Sequence, residues 1–290
     1  MLRHMKLTLA ALAATVVVSA CAPNAQNTQQ SLAQEQQQAA QFVDQLRSKD
    51  KLVTDKGLNN YVTGIVQRVA QHRAPGSVPL RTYIVKDADV NAFTPGGGYV
   101  FFNAGMIAAM ENEAQLASVA AHEIAHIDRG HITAGKGTRQ GVQLGAAAAT
   151  IGGALLGVPG QVTDLAVGLG ANYAVNSFSR SQETDADNTG IQYLAKAGYN
   201  AAEGAKSFEV LQRLYGNSSG PSAVFFSSHP PSAERKANLT RQAQQLGATK
   251  GRIAGKTYDS RTRKIRRDVL KFYESQGRDR EAAQVRRNLR

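Results

Sequence analysis

The spacing of apolar and polar residues along the chain predicts a body built mainly of helices. Apolar side chains recur every three or four positions, which places them on one face of a helix where they can pack against a core. The first such pattern starts near Ala39, and the second ends at the turn Ala74-Pro75-Gly76. Later helical patterns start near residues 112, 182, 201 and 232, and a helical pair broken at Gly277 fills residues 251–290.

A shorter stretch between the helices has the pattern of strands. Residues 81–85 alternate, and two further apolar segments, 90–93 and 99–102, flank the Gly-rich turn 94–98. Consecutive strands joined in this way form a tight hairpin. No Gly-Lys-Ser or Gly-Lys-Thr follows the glycines, so a phosphate-binding loop is not indicated. The predicted fold class is therefore α+β, mainly helical, with a small β-sheet beside the helices.

The first residues have the composition of an export signal. A short basic segment precedes the apolar run 7–18, which is too short to span a bilayer comfortably, and small residues precede Cys21. This order resembles the lipobox of bacterial lipoproteins, in which cleavage occurs before a cysteine that carries acyl chains. It predicts a signal peptide over residues 1–20 and a lipidated Cys21. An ordinary cleaved signal with a chance cysteine is the alternative.

The residues after the cysteine bear on location. By the same resemblance, Ala22 in place of an aspartate indicates retention at the bacterial outer membrane, on its periplasmic face. Residues 21–38 are Gln-rich and polar, so they cannot pack a core, and we expect them to form a flexible tether. Cys21 is the only cysteine, which excludes an internal disulfide.

Positive charge is concentrated at the C-terminal end. The chain has a net charge of +12, and residues 251–290 hold thirteen Lys or Arg against five Asp or Glu, a net of +8. A basic tail can bind nucleic acid or an anionic membrane surface, but a solvated helix surface is the more common case, and we expect no nucleic-acid partner. By contrast, residues 140–163 carry no charge, and their Gly and Pro content favours buried or substrate-facing helices over a membrane span.

The segment His122–His126 carries the most specific chemistry. Its sequence, His-Glu-Ile-Ala-His, places two histidines four positions apart on one face of a predicted helix, so their rings can converge on one metal ion. Histidine nitrogens suit Zn²⁺, and a zinc ion with three protein ligands makes water acidic enough to attack near neutral pH. Glu123 is placed to take the proton of that water. A surface histidine pair with an ion-paired glutamate is the alternative.

The third ligand must come from elsewhere in the chain. A metzincin needs glycine and histidine at later fixed positions, but arginine and isoleucine stand there and His131 is one residue early. A glutamate on a following helix is the other option, and Glu183 supplies it. Asp187 lies one helical turn later, where it could accept a hydrogen bond from a ligand imidazole. Asp185 ranks below them.

Three segments together resemble metallopeptidase family forty-eight, the gluzincin group that includes HtpX, BepA, LoiP and Oma-like peptidases. They are the ten residues from His122, the Ser-Arg-x-x-Glu-x-x-Ala-Asp stretch of residues 179–187, and the Ser-His-Pro-Pro-Ser-Ala-Glu-Arg stretch of residues 228–235. The resemblance covers residues 40–246 and implies a zinc-peptidase domain over residues 39–250, followed by a basic helical extension over 251–290. It implies one Zn²⁺ per chain, held by the ligands His122, His126 and Glu183, with Asp187 as the companion of Glu183.

The same resemblance implies further site residues. His229 would lie near the metal, where it either stabilises the oxyanion or occupies the open zinc position in a latent state, and Arg235 would orient that loop. Residues 91–93 and 97–101 resemble the edge-strand segment of the family. An extended peptide could pair with the backbone of such a strand. The residues expected to bind substrate in this way are Gly98, Tyr99, Val100 and Phe101.

Together these features predict a zinc-dependent endopeptidase that hydrolyses unfolded or misassembled envelope proteins. The lipid-anchored LoiP type fits best, with the membrane as a partner through Cys21 and outer-membrane assembly machinery as a further candidate. Three alternatives stay open: a lipid-anchored, chaperone-like binding protein on a latent zinc scaffold, a membrane-embedded peptidase that uses residues 140–163, and a serine hydrolase. The last rests on the Gly-x-Ser-x-Gly match at residues 216–220, which lacks a clear preceding strand.

Overall fold

The computed structural model describes residues 25–134, 178–216, 225, 228–229 and 232–290. The predicted signal peptide, Cys21, the uncharged run 140–163 and most of the Gly-x-Ser-x-Gly segment lie outside these residues. The described helices and strands confirm the predicted fold class, which is mainly helical with one small sheet. In chain order they are α1 (Ala25–Ser48), α2 (Lys56–Ala70), β1 (Arg81–Val85), β2 (Ala92–Gly96), β3 (Tyr99–Asn103), α3 (Ala104–Ala109), α4 (Glu113–Asp128), α5 (His131–Ala134), α6 (Arg180–Lys196), α7 (Ala202–Tyr215), α8 (Ala233–Gln245), α9 (Gly255–Ser275) and α10 (Asp279–Asn288).

The three described strands form one sheet in the order β1-β3-β2. Strand β1 pairs with β3 in parallel, with Arg81 opposite Tyr99, and β2 pairs with β3 in antiparallel fashion, with Gly96 opposite the same tyrosine. The expectation that residues 99–102 form an edge strand is therefore wrong. Strand β3 is hydrogen-bonded on both sides, to β1 in parallel and to β2 within the antiparallel hairpin. Strand β2 therefore lies at an outer position of the described sheet.

The two faces of the sheet pack against different helices. Tyr99 and Phe101 belong to a cluster with α1, in which the rings of Phe42 and Phe101 lie 5.3 Å apart. Val100 and Phe102 alternate with them and join the main core. This is the two-residue period of a strand, applied to a sheet that is buried on both faces.

Helix α1 starts earlier than the apolar pattern predicted. It begins at Ala25 rather than near Ala39, so much of the segment predicted as a tether is helical. Gln and Ala favour helices, and the side chain of Glu35 is buried, where it accepts a hydrogen bond of 3.0 Å from the backbone N–H of Gly97. Gly97 has a φ of +62°, and a Cβ there would lie 2.7 Å from the backbone nitrogen of Gln36. The Gly-rich turn therefore permits α1 to pack closely on the hairpin.

Helix α4 is the central helix of the body and is buried along most of its length. It starts where the sequence predicted, and the side chain of Asn112 caps it by accepting a hydrogen bond of 2.9 Å from the backbone N–H of Gln115. Helices α2, α6 and α7 pack around it, and β2 crosses it on the side of the sheet. Within the described ranges, none of the helices has both the length and the apolar character needed to cross a bilayer.

The predicted C-terminal hairpin is confirmed as α9 and α10, which are joined at Gly277. Its inner side chains belong to the main core, including the buried Tyr258 and Tyr273. The hydroxyl of Tyr258 donates a hydrogen bond of 2.7 Å to the backbone oxygen of Ile107 in α3. One continuous core therefore extends across residue 250, where the sequence predicted a domain boundary.

Candidate metal centre

Two helices bring the predicted ligands together. On α4, His122 and His126 are one turn apart, and their Nε2 atoms lie 3.0 Å from each other. Ser179 caps α6 through a capping box, which places Glu183 in the first turn of that helix. The two carboxylate oxygens of Glu183 lie 3.2 Å from Nε2 of His126 and 3.5 Å from Nε2 of His122.

A fourth donor, His229, joins this group from the part of the chain that precedes α8. Nδ1 of His229 lies 3.1 Å from Nε2 of His122 and 2.9 Å from Oε1 of Glu183. All four side chains are buried, and one ligand atom from each lies within 4.8 Å of the others. Zinc bonds of about 2.1 Å in a tetrahedron place the donors about 3.4 Å apart, and the observed separations are close to this value. Three imidazole nitrogens and a carboxylate therefore fit a single Zn²⁺ ion in their chemistry and in their spacing.

Burial sets the charge state of His126. It lowers the pKa of this histidine well below 6.5, against the opposing effect of the nearby Glu183 carboxylate. A neutral imidazole has a free lone pair and is the form that binds a metal ion. The second histidine of the motif is thus held in the protonation state that a ligand requires.

One chain of hydrogen bonds orients His122. Its Nδ1 lies 3.0 Å from Oδ1 of Asp187, and Arg235 donates to both oxygens of that carboxylate, at 2.7 and 2.9 Å. Burial alone would raise the pKa of Asp187, but Arg235 and His122 outweigh this effect and lower it, so the side chain is ionised. Arg235 also lies 2.6 Å from Glu183 through Nη1. A charged carboxylate on Nδ1 keeps Nε2 of His122 turned toward the metal position.

A second chain, which the sequence analysis missed, orients His126. Nδ1 of His126 lies 3.0 Å from Nδ1 of His131, and Nε2 of His131 lies 3.1 Å from Oδ2 of Asp185. Arg129 donates a hydrogen bond of 2.6 Å to the same carboxylate oxygen. If His126 presents Nε2 to the metal, its Nδ1–H donates to His131, and the Nε2–H of His131 donates to Asp185. Asp185, the lower-ranked ligand candidate, thus supports a ligand from outside the donor group.

The carboxylate of Glu123 is buried beside the donor group. Neither of its oxygens has a well-formed hydrogen bond within the described part of the chain. Nε2 of His229 lies 3.5 Å from Oε1, and the backbone of Thr94 in β2 also acts on this carboxylate. Burial raises its pKa, and the neighbouring histidines only partly oppose this shift. A buried carboxylate with raised pKa and free lone pairs can accept a proton and later return it.

Aromatic side chains enclose the group. The ring of Phe178 stacks on His126 with 3.8 Å between the centroids, and the ring of Phe225 lies 4.6 Å from that of His229. His229 is also tied to Phe225 by a backbone hydrogen bond of 2.8 Å. These contacts hold His229 in the donor group.

The four residues predicted to bind substrate lie away from this group. Tyr99 and Phe101 face α1 on the opposite side of the sheet, while Val100 is buried in the main core. A Cβ at Gly98 would lie 2.2 Å from the backbone oxygen of Pro79, so this residue packs against another part of the chain. The strand that reaches Glu123 is β2 instead. The alternation of β3 was visible in the sequence, but the order of the strands was not.

Comparison with known families agrees with this geometry. The model of peptidase family M48 matches residues 56–243, which include both helices of the donor group. The chain belongs to peptidase family M48. The M48 assignment implies a metal, typically zinc, and supports the prediction of a zinc metalloendopeptidase.

Curated relatives of this M48 chain carry related names. The beta-barrel assembly-enhancing protease of Escherichia coli strain K12 is 28% identical over 220 residues, which is 74% of this chain and 45% of that protein. Metalloprotease LoiP of the same strain is 32% identical over 164 residues, covering 56% of this chain and 61% of the relative. The mitochondrial metalloendopeptidase OMA1 of Schizosaccharomyces pombe is 26% identical over 175 residues, or 60% and 50%. The chain spans about half the length of the curated relatives it matches.

Proposed function

We propose that this M48 protein is a zinc-dependent endopeptidase in which Glu123 handles the proton of the attacking water. The observation that carries the proposal is the position of this buried carboxylate, which lies next to two histidines and a glutamate spaced for one metal ion. His122, His126 and Glu183 would hold the ion. When bound, Zn²⁺ supplies Lewis acidity that polarises the scissile carbonyl and makes water more acidic.

Glu123, Asp187 and Arg235 would have separate roles in the reaction. Glu123 accepts the proton of the water and returns it to the leaving amine. Its raised pKa suits the first of these steps, because a more basic carboxylate accepts the proton of the water more readily. Asp187 and Arg235 keep His122 in one orientation, so the metal position stays constant while the substrate changes.

His229 has two roles open to it. It could donate a hydrogen bond to the oxyanion, or it could occupy the open metal position in a latent state. The short distances from its Nδ1 to His122 and Glu183 support the second role for the arrangement seen here. Release of His229 from the donor group would then open the fourth position to water and substrate.

Substrate binding is proposed to use β2 rather than β3. Strand β2 is the outer strand on its side of the described sheet, it packs on α4, and the backbone of Thr94 lies beside Glu123. An extended peptide that pairs with this strand would pass directly over the site. Backbone pairing discriminates little between sequences, which suits unfolded polypeptides.

We further propose that the protein works at the periplasmic face of the outer membrane, held there by a lipidated Cys21. The lipobox-like segment supports this, and so does the similarity to a relative named for beta-barrel assembly. The proposed substrates are unfolded or misassembled envelope proteins, with outer-membrane assembly machinery as a partner. Release of a Cys21→Ala protein from the membrane fraction would support the anchor, and retention would contradict it.

The alternative function is a lipid-anchored, chaperone-like protein on a latent zinc scaffold. One observation favours it, namely that His229 stands in the donor group and closes it. The two functions differ in one measurement, which is the cleavage of an unfolded substrate after His229 is removed. A His229→Ala protein that retains zinc and cleaves no casein would favour the chaperone-like function.

The decisive experiment measures zinc content and casein cleavage in parallel. We expect the wild type to contain one zinc per chain and to lose activity with a chelator. Glu123→Gln should retain the metal and lose activity by a factor of at least about 100, since it can no longer accept a proton. Equal cleavage by the wild type and Glu123→Gln would rule out the proposed mechanism.

A further inference from the structure

The hairpin of α9 and α10 presents an outer face rich in unpaired cations. Lys256, Arg263, Arg267 and Lys271 follow one another on α9 at intervals of seven, four and four residues, which places them on one side of the helix. All four side chains are exposed, and none of these side chains makes a hydrogen bond or an ion pair within the described ranges. The row is about 22 Å long at the helical rise of about 1.5 Å per residue. We call it, together with the exposed arginines of α10, the basic face.

The buried side of α9 shows why these cations have no role in the core. Tyr258, Ile265, Val269 and Tyr273 occupy the opposite side and pack into the main cluster. The one arginine on that side, Arg266, is fully buried and bonds to the backbone oxygen of Met110 at 2.8 Å. The helix thus separates one structural arginine from the four solvent-facing cations.

Helix α10 extends the face. Arg286 forms an ion pair of 2.7 Å with Glu274 near the end of α9, so the outer sides of the two helices meet there. Two more exposed arginines of α10 and the arginine just after it have no side-chain partner in the part of the chain that the structure describes. They are Arg280, Arg287 and Arg290.

Acidic side chains do little to offset this charge. Asp259, Asp268 and Glu274 are each already paired with a basic residue of the hairpin. The remaining field is strongly positive, and arginine binds phosphate through its planar, forked guanidinium group. The face therefore complements a surface of closely spaced phosphates.

The location proposed above indicates which such surface the face fits. A lipidated Cys21 would hold the protein at a bilayer, where anionic headgroups present phosphates at close spacing. The row of cations would then complement the nearest dense array of phosphates.

We propose that the basic face docks on the anionic phosphate headgroups of a membrane and thereby sets the orientation of the domain. The proposal rests on the membrane location proposed above, and it assigns the hairpin to orientation rather than to anchoring. A cation close to an anionic bilayer strengthens binding about fivefold, the equivalent of about 1 kcal/mol.

The test compares two double variants in a Cys21→Ala background, where no acyl chain can attach. Arg263→Gln with Arg267→Gln removes two cations of the face. Arg68→Gln with Lys196→Gln removes two exposed cations of α2 and α6, which also have no partner among the described residues. Both pairs change the net charge equally, and residues 1–20 contribute the same in each. Binding is measured by sedimentation with phosphatidylcholine vesicles that contain 30% phosphatidylglycerol.

We expect the hairpin pair to lower the vesicle partition coefficient about 30-fold and the control pair to lower it less than threefold. Vesicles of phosphatidylcholine alone should bind neither protein.

The proposal is overturned by an equal loss in the two pairs, by no binding of the parent protein to anionic vesicles, or by tighter binding to a duplex oligonucleotide at equal phosphate concentration. Casein cleavage is assayed on the same proteins and should be unchanged by the hairpin pair. Loss of cleavage in every variant, parent included, would count against the peptidase and leave the vesicle result intact.

Discussion

Replacing His131 by leucine removes the middle of the chain that orients His126. The Nδ1–H of His126 then faces an apolar side chain at a fully buried position, and Asp185 loses its contact with the site. Leaving a buried donor unpaired costs about 1–3 kcal/mol. If that cost falls on the oriented, metal-binding form of His126, zinc affinity should drop about 10- to 100-fold, the usual range for the loss of a partner of a ligand histidine.

The assay is competition for Zn²⁺ between the purified protein and a chromophoric chelator at pH 7, with circular dichroism to verify folding. His131→Gln is the matched control, because its amide oxygen can accept from His126 and its amide N–H can donate to Asp185. It should retain most of the affinity. Asp185 is about one-third exposed, so Asp185→Asn should have a smaller effect than the leucine variant. A folded His131→Leu protein that binds zinc within twofold of the wild type would refute this role for His131.

Three further predictions concern packing and the ion pairs. A Cβ at Gly190 would lie 3.0 Å from the backbone oxygen of Ala121, so Gly190→Ala should separate α6 from α4 and reduce the free energy of unfolding by about 1–3 kcal/mol. Gly64→Ala, where the added Cβ has nothing within 4 Å, should stabilise the protein in the same urea titration. Glu113 is buried and accepts hydrogen bonds from two tyrosines and Arg252, which outweigh the effect of burial and lower its pKa. Its contribution to stability is therefore present above the unfolded pKa near 4.5 and is lost as the pH falls further. Glu113→Gln should lower the free energy of unfolding at pH 7 by about 2 kcal/mol. It should also flatten the acid side of the plot of unfolding free energy against pH. An unchanged acid side would contradict this assignment.

Local periodicity explains how much of the site could be predicted. Residues four apart on a helix share a face, so the spacing of His122 and His126, and of Glu183 and Asp187, was enough to anticipate that each pair would point in one direction. The structure brings these four side chains together where α4 and α6 cross. Whether they hold zinc and perform hydrolysis stays a prediction for the experiments above.

The features that were missed depend on contacts between distant segments. His131 reaches Asp185 across 54 positions of sequence, and β1 joins β3 as a parallel neighbour without any local signal of strand order. The early start of α1 has the same origin. Its Gln-rich first turns lack an apolar pattern, and the hydrogen bond that the backbone N–H of Gly97 donates to Glu35 ties the helix to the hairpin. The spacing of residues within one segment carries no information about partners in distant segments.

The first turns of α1 bear on how far the site can reach. From residue 29 onward, Glu35 is the first buried residue of this helix, and residues 25–34 precede it as continuous helix. Ten helical residues span about 15 Å. With the anchor proposed at Cys21, these helical residues would join the bilayer to the sheet as a rigid spacer rather than a flexible linker. The distance between the bilayer and the site would then vary little, and polypeptides held within that narrow layer would be the ones presented for cleavage.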